Sequence, residues 1–181
     1  MSLKEKLLAL KREREMEEIA RREVLQEEAQ RAREMLTRYN ELRDQAHKIR
    51  VMKIEPVLKV VNRNWLQGQG KLLHEDSKLI SIYANEGNHS KLLEEIDRLI
   101  YHGFYPLHYS SLRWNEWGSG KGEHGYDELR ADIFRIDNKF SINGLDPSDR
   151  DFSSTLGDMF FEKIKSGETS YIYYPPDYGD L

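Results

Sequence analysis

The sequence predicts an α+β protein, in which a long charged helix precedes a small domain with a mainly antiparallel sheet and two helices. Residues 3–61 contain no glycine, and Pro56 is their only proline. Of all the aromatic residues, only Tyr39 lies before Trp65, so the large side chains that a core needs belong to the second part of the chain. We therefore expect a helical arm at residues 1–64 and a compact α+β domain at residues 65–181.

Charge divides along the same boundary. Residues 1–64 carry 16 basic and 12 acidic side chains, whereas residues 65–181 carry 12 basic and 20 acidic ones.

The sequence has no cysteine, which excludes disulfides and cysteine-ligated zinc. No apolar run approaches the roughly 20 residues of a membrane-spanning helix, and no signal-peptide pattern opens the sequence. We expect a cytoplasmic protein that does not bind membranes.

The arm is rich in strong helix formers, and opposite charges recur four residues apart with the acid first, as in Glu18–Arg22. Each such pair stabilises a helix by about 0.3–0.5 kcal/mol. Pro56 removes a backbone donor, so we expect a bend near residues 54–56.

A heptad-like seam, with a phase shift near residues 35–39, runs along the arm. Its members are Leu25, Ala29, Ala32, Leu36, Tyr39, Leu42, Ala46 and Ile49. We predict that this seam binds a second copy or another helical protein. On that basis a Tyr39→Asp, Leu42→Asp double variant should lose association without unfolding the domain. The alternatives are a helix packed along its own domain and a solvated helix with no partner.

A second, shorter seam begins upstream at Leu3, Leu7 and Leu10. Its continuation falls on Arg14, Glu17 and Arg21, so the helix-pairing signal weakens there.

Within the domain, the short apolar run Leu79–Tyr83 reads as a strand. A helix capped by Asn88 or Ser90 follows and stops near Gly103, and Tyr105–Trp117 reads as extended.

Further along, we expect a hairpin around residues 137–139, with Ile136 facing Phe140 and Phe134 facing Ile142. A helix over residues 129–136 is the alternative.

The end of the domain reads as a helix followed by a strand. Asp146-Pro147 is expected to open the last helix and Gly167 to end it, before a final strand at Thr169–Tyr174. The expected core face of the helix comprises Phe152, Leu156, Met159, Phe160 and Ile164.

The strongest candidate for a phosphate-binding loop is the glycine-rich stretch at residues 117–122. A P-loop needs Gly and Ser or Thr where this chain has Asn115 and Gly122, so we interpret the stretch as a connection between strands. No pattern predicts a metal site or a cofactor, since the HExxH spacing is absent.

The sequence offers only weak candidates for acid–base catalysis, namely His108 and His124 with Glu123 and Asp127. An acidic sequence supplies such combinations by chance, and no nucleophile motif accompanies them. We therefore expect a non-enzymatic protein, with a small enzyme acting from loops at residues 105–128 as the third hypothesis.

The most basic stretch, residues 38–71, carries eight basic and three acidic side chains. Those that could contact nucleic-acid phosphates are Arg43, Lys48, Arg50, Lys53, Lys59 and Arg63. No DNA- or RNA-binding motif accompanies them, and pairing with the acidic domain is the favoured alternative.

Near the end of the sequence, Tyr171, Tyr173, Tyr174 and Tyr178 form either core or a contact patch.

The sequence as a whole favours an interaction protein whose arm associates with helices and whose domain selects the partner. A nucleic-acid-associated protein is the second hypothesis.

Overall fold

The computed structural model describes residues 3–76, 79–103, 105–118 and 124–173 of the chain, and it confirms the α+β class. The helices are α1 (Leu3–Ile49), α2 (Glu55–Asn64), α3 (Leu79–Glu86), α4 (His89–Ile100) and α5 (Phe152–Ser166), and a π-helical segment (Arg50–Ile54) joins α1 to α2. The strands are β1 (Lys71–Asp76), β2 (His108–Gly118), β3 (His124–Ile136), β4 (Lys139–Ile142) and β5 (Ser170–Tyr173).

Helical backbone continues from Leu3 to Asn64 across Pro56. A proline inside an α-helix loses the bond to the carbonyl four residues back and clashes with it. Here the backbone N–H of Glu55 bonds to the carbonyl of Arg50, five residues back, so the turn before the proline is widened. A π-helical segment within a continuous helix thus lies where the sequence predicts a bend, near residues 54–56.

The second half of α1 belongs to the core of the domain. It packs mainly against α4, and its buried side chains are Ala32, Tyr39, Leu42 and Ala46. Beyond it, Ile54 and Leu58 join the same core as the buried residues of the sheet, α4 and α5. Packing is thus continuous across residues 64 and 65, where the sequence divides in composition and charge.

The first part of α1 contrasts with this, because every residue from Lys4 to Glu27 is exposed. We call residues 3–29 the free arm and the described residues from Ala32 onward the head. At 1.5 Å per residue, the free arm extends for roughly 40 Å.

The five described strands form one antiparallel sheet in the order β1-β2-β3-β4, with β5 also paired to β3. Strand β3 is long enough to pair with β5 through its first residues, from His124 to Asp127, and with β4 through its last, from Ile133 to Ile136. The core-facing side of the two central strands is set by register. Leu112 pairs with Leu129, Ser110 with Ala131 and His108 with Ile133, and all six are buried.

The expected strand at Leu79–Tyr83 is wrong, because these residues begin α3, and the strand in this region is β1. A short apolar run does not distinguish a buried strand from a buried helix by its periodicity. Ile80 is buried and α3 packs against α4, so tertiary packing decides the outcome.

The hairpin between β3 and β4 is confirmed against the helical alternative, but its register differs from the prediction. Ile136 pairs with Lys139 and Ile133 pairs with Ile142. Only Asp137 and Asn138 form the turn, with φ of 48° and 63°. Two left-handed residues make the tight type I′ turn that suits strand twist, and this moves every pair by one position from the three-residue turn expected.

Helix α4 and the C-terminal end of α5 match the sequence prediction. Asn88 caps α4 by accepting a hydrogen bond from the Lys91 backbone at 3.2 Å, and Gly167 ends α5 with φ of 75°. The start of α5 differs, because the helix begins at Phe152. Asp146 lies in the preceding turn, where its carboxylate accepts from the backbone N–H of Ser148 at 2.8 Å.

The division of α1 at residues 29–32 predicts unequal stability effects along one helix. Leu42→Ala should lower the free energy of unfolding by about 2–5 kcal/mol, because it leaves a cavity in the core. Leu25→Ala, at a side chain 54% exposed, should change it by less than about 0.5 kcal/mol. Urea denaturation at low protein concentration measures both values, and equal losses would contradict the division.

Candidate functional site

The free arm is the largest unpacked element of the described chain. Its exposed apolar side chains are Leu7, Leu8, Leu10, Met16, Ile19, Val24 and Leu25. Charged neighbours surround them, and ion pairs four residues apart, such as Arg22 to Glu18 at 2.6 Å, support the helix without tertiary contacts. Leu7, Leu10 and Val24 fall on one face of the helix in heptad spacing, and another helix can cover this seam.

The structure divides the partner-binding seam that the sequence predicts. Leu25 is exposed, Ala29, Leu36 and Ile49 are half-buried, and Ala32, Tyr39, Leu42 and Ala46 are buried within this chain. Helical periodicity shows that a face is covered, but not whether the covering element belongs to the same chain. The surface left for a partner lies upstream, where the sequence signal is weaker.

A partly buried polar cluster joins the π-helical segment to the sheet. Arg50 is only 8% exposed, and its Nη1 lies 3.4 Å from Oε1 of Glu55. Its Nη2 donates to the imidazole of His47, 3.1 Å from Nδ1. Glu55 also pairs with Lys59 across 3.1 Å. One carboxylate thus receives two cations at the point where the helix widens.

The sheet contributes the other half of this cluster. Nε2 of His74 on β1 lies 3.6 Å from Oε1 of Glu55, and its Nδ1 hydrogen-bonds with Oγ of Ser110 at 3.2 Å. The ring of His108, buried on β2, stacks beside the His74 ring with 6.3 Å between centroids. The cluster therefore fastens the long helix to β1 and β2.

Electrostatics within the cluster shift two pKa values. Burial lowers the pKa of His74, and the charge of Arg50 lowers it further, against the opposing effect of Glu55. Burial raises the pKa of Glu55, but the hydrogen bond from Lys59 and the charge of Arg50 outweigh it, so the pKa lies below its usual value of 4.5. The stable state at neutral pH is an ionised carboxylate beside an uncharged His74.

The weak catalytic candidates are not brought together by the described part of the chain. His108 pairs with Ile133, whereas Asp127 lies opposite Trp114, six residues along β2, a separation of roughly 20 Å. Asp127 accepts hydrogen bonds from Asn115, Thr169 and Ser170, and so ties β5 to β3.

The remaining candidates of the sequence fall on residues that the structure does not describe. Residues 119–122 of the glycine-rich stretch, Glu123, Tyr174 and Tyr178 lie outside the described residues, as does the side chain of His124. Tyr171 and Tyr173 belong to β5, whose backbone pairs with β3. Among the described residues, no group of three or more histidines and carboxylates is placed to hold a metal ion.

Internal ion pairs occupy part of the basic stretch. Arg50 and Lys59 pair with Glu55, and Arg43 lies 3.8 Å from the carboxylate of Asp44. Arg63 is exposed on α2. Arg38, also in this stretch, donates to the Tyr101 hydroxyl at the end of α4.

The remaining two lysines of the predicted nucleic-acid set, Lys48 and Lys53, line a cavity of about 510 Å³. Lys139 joins them from the hairpin, and Met52 and Phe140 contribute apolar wall. Asp146 is the carboxylate in the lining, and it accepts hydrogen bonds from the backbone and the hydroxyl of Ser148. The cavity presents three cations and one carboxylate, so it can attract an anion.

Comparison with protein-family models, with curated proteins and with solved structures finds no match to this chain. In the described ranges, the structure contains no helix with the length and apolar character that crossing a membrane requires.

The polar cluster predicts how stability depends on pH. Well above pH 6.5, His74 is uncharged in both the folded and the unfolded chain. Below that value the unfolded chain takes up a proton that the folded chain resists, so the free energy of unfolding falls as pH is lowered toward 5. His74→Gln should remove this part of the pH dependence. Urea denaturation at several pH values measures it, and identical pH slopes for both proteins would contradict the assignment.

Proposed function

We propose that this is a non-enzymatic interaction protein whose free arm binds a partner helix while the head holds the arm in a fixed direction. The observation that carries the proposal is the change along α1 at residues 29–32. There one uninterrupted helix passes from exposed to buried. No loop separates the two parts, so the arm is an extension of the core rather than a tethered tail.

The exposed apolar side chains supply the driving force for binding. Leu7 is 60% exposed and Val24 is 55% exposed. Complete burial of such a side chain contributes about 1.5–3 kcal/mol. A partner helix that covers several of them at once gains a useful free energy even after the cost of association. A coiled-coil-like contact is the geometry that suits a straight helix with such a seam.

The fixed direction of the arm favours binding in a second way. Glu55 contacts His74 of β1 near the far end of the helix, and Tyr39 and Leu42 hold the helix on α4. Binding then does not have to order a flexible segment, which lowers its entropic cost.

A cytoplasmic location also belongs to this proposal. The absence of cysteine is consistent with a reducing compartment, where disulfides do not contribute to stability.

A second candidate function is association with nucleic acid. It is favoured by the cavity that Lys48, Lys53 and Lys139 line, since three cations near an apolar wall suit a phosphate-bearing chain. The contacts of Arg50 and Lys59 with Glu55 argue against the broader basic stretch as a nucleic-acid surface.

The proposal predicts that acidic residues placed on the face of the free arm that carries Leu7 and Leu10 disrupt partner binding and leave the head folded. The variant is Leu7→Asp with Leu10→Asp, and the control is Gln26→Asp with Gln30→Asp, which adds the same charge to α1 away from the face that carries Leu7 and Leu10. Light scattering after size exclusion measures self-association. A photo-crosslinking residue at Leu10 detects a different helical partner in a cell extract. A monomeric chain that also forms no specific crosslink at Leu10 would contradict the proposal.

The second candidate makes a separate prediction. A labelled RNA or DNA oligonucleotide should bind the full chain, with an affinity that falls steeply between about 50 and 200 mM salt. Lys48→Glu with Lys53→Glu should weaken binding at every sequence tested, whereas Lys165→Glu on α5 should not. Binding that is absent at 50 mM salt would exclude this candidate.

A further inference from the structure

We infer that the partner of the free arm is the free arm of a second copy, paired antiparallel about a two-fold axis between residues 15 and 16. This inference rests on the proposed function and adds the identity, orientation and register of the partner.

Charge along the exposed arm is segregated about this point. Residues 3–15 carry five basic and three acidic side chains, a net of +2, whereas residues 16–28 carry two basic and five acidic ones, a net of −3. Antiparallel pairing places each basic half on the acidic half of the other copy. Parallel pairing would place like charge on like charge over the whole length, which is unfavourable.

The seam positions are self-complementary about the same point. Alternating spacings of three and four residues give one face of the arm, formed by Leu7, Leu10, Arg14, Glu17, Arg21 and Val24. With the axis between residues 15 and 16, Leu7 lies opposite Val24 and Arg14 lies opposite Glu17. Each pair occurs twice in the dimer, because a two-fold interface is isologous.

The charged residues that interrupt the apolar seam, Arg14 and Glu17, therefore specify an antiparallel orientation. In a parallel dimer Arg14 would face Arg14 and Glu17 would face Glu17. In the antiparallel register both become opposite-charge pairs. The remaining pair, Leu10 with Arg21, is compatible with this register, because an arginine lays its aliphatic stem on an apolar neighbour and keeps its guanidinium in water.

The length of the free arm supports the same register. Residue 3 of one copy lies opposite residue 28 of the other, one residue short of the half-buried Ala29 and four short of the buried Ala32. The overlap thus uses the whole continuous run of exposed residues in α1, Lys4 to Glu27, and ends just before the head begins. The two heads lie at opposite ends of a helical pair roughly 40 Å long.

The absence of cysteine from the sequence makes a direct test possible. Full-length Leu7→Cys is mixed with full-length Val24→Cys and oxidised. The inference expects a disulfide between residue 7 of one copy and residue 24 of the other. Each variant alone should give little crosslinked product, since like positions are 17 residues, or about 25 Å, apart, well beyond the reach of a disulfide. Efficient crosslinking of each variant to itself would overturn the inference in favour of a parallel pair.

Charge reversal provides a second, independent readout. Arg14→Glu should weaken dimerisation by roughly fivefold or more, because it turns two attractive contacts into repulsive ones. Adding Glu17→Arg should restore it, since the pair is then reversed on both copies. Failure of the second change to restore dimerisation would overturn the register.

The outcomes separate this inference from the proposed function. A chain that remains monomeric at millimolar concentration overturns the inference. If the same chain forms specific crosslinks at Leu10 to another helical protein, the proposed function stands. If it forms none, both fail.

Discussion

One constraint organises the molecule: a single helix is shared between the core of the head and the free arm. Tyr39, Leu42 and Ala46 are buried with α4, and Ile54 and Leu58 are buried with the sheet and α5. These contacts fix the direction in which the free arm leaves the head. Pro56 would normally end such a helix, but the π-helical turn before it keeps the backbone continuous.

The partly buried polar cluster of Arg50, Glu55 and His74 gives this junction a defined register. Removing two charges from water is costly, and a well-packed apolar contact would be as stable or more stable. The contact between Glu55 on the helix and His74 on β1 does, however, disfavour sliding of the helix along the sheet. We interpret the cluster as a device for position more than for stability.

The sequence predicts the α+β class, the long helix and most of the elements, because these depend on local patterns. The caps at Asn88 and Gly167 and the chain reversal before Lys139 are examples. It does not predict α3, since the run from Leu79 has no distinctive period, nor the hairpin register, which depends on two left-handed residues. The sequence does not predict the polar cluster, because its members are brought together only by folding. They are His47, Arg50, Glu55, His74 and His108. The same limit applies to the seam, whose second half is covered by α4 of its own chain.

Residue-by-residue amide hydrogen exchange along α1 tests the central claim most directly. The account predicts slow exchange from about Met35 to Asn64, at rates set by global unfolding, and faster exchange over residues 3–28 in dilute solution. Protection of residues 3–28 should rise with protein concentration as the arms pair. Fast exchange throughout residues 3–49 would contradict the packing of α1 on the head. Equal protection along the whole helix at every concentration would contradict the free arm.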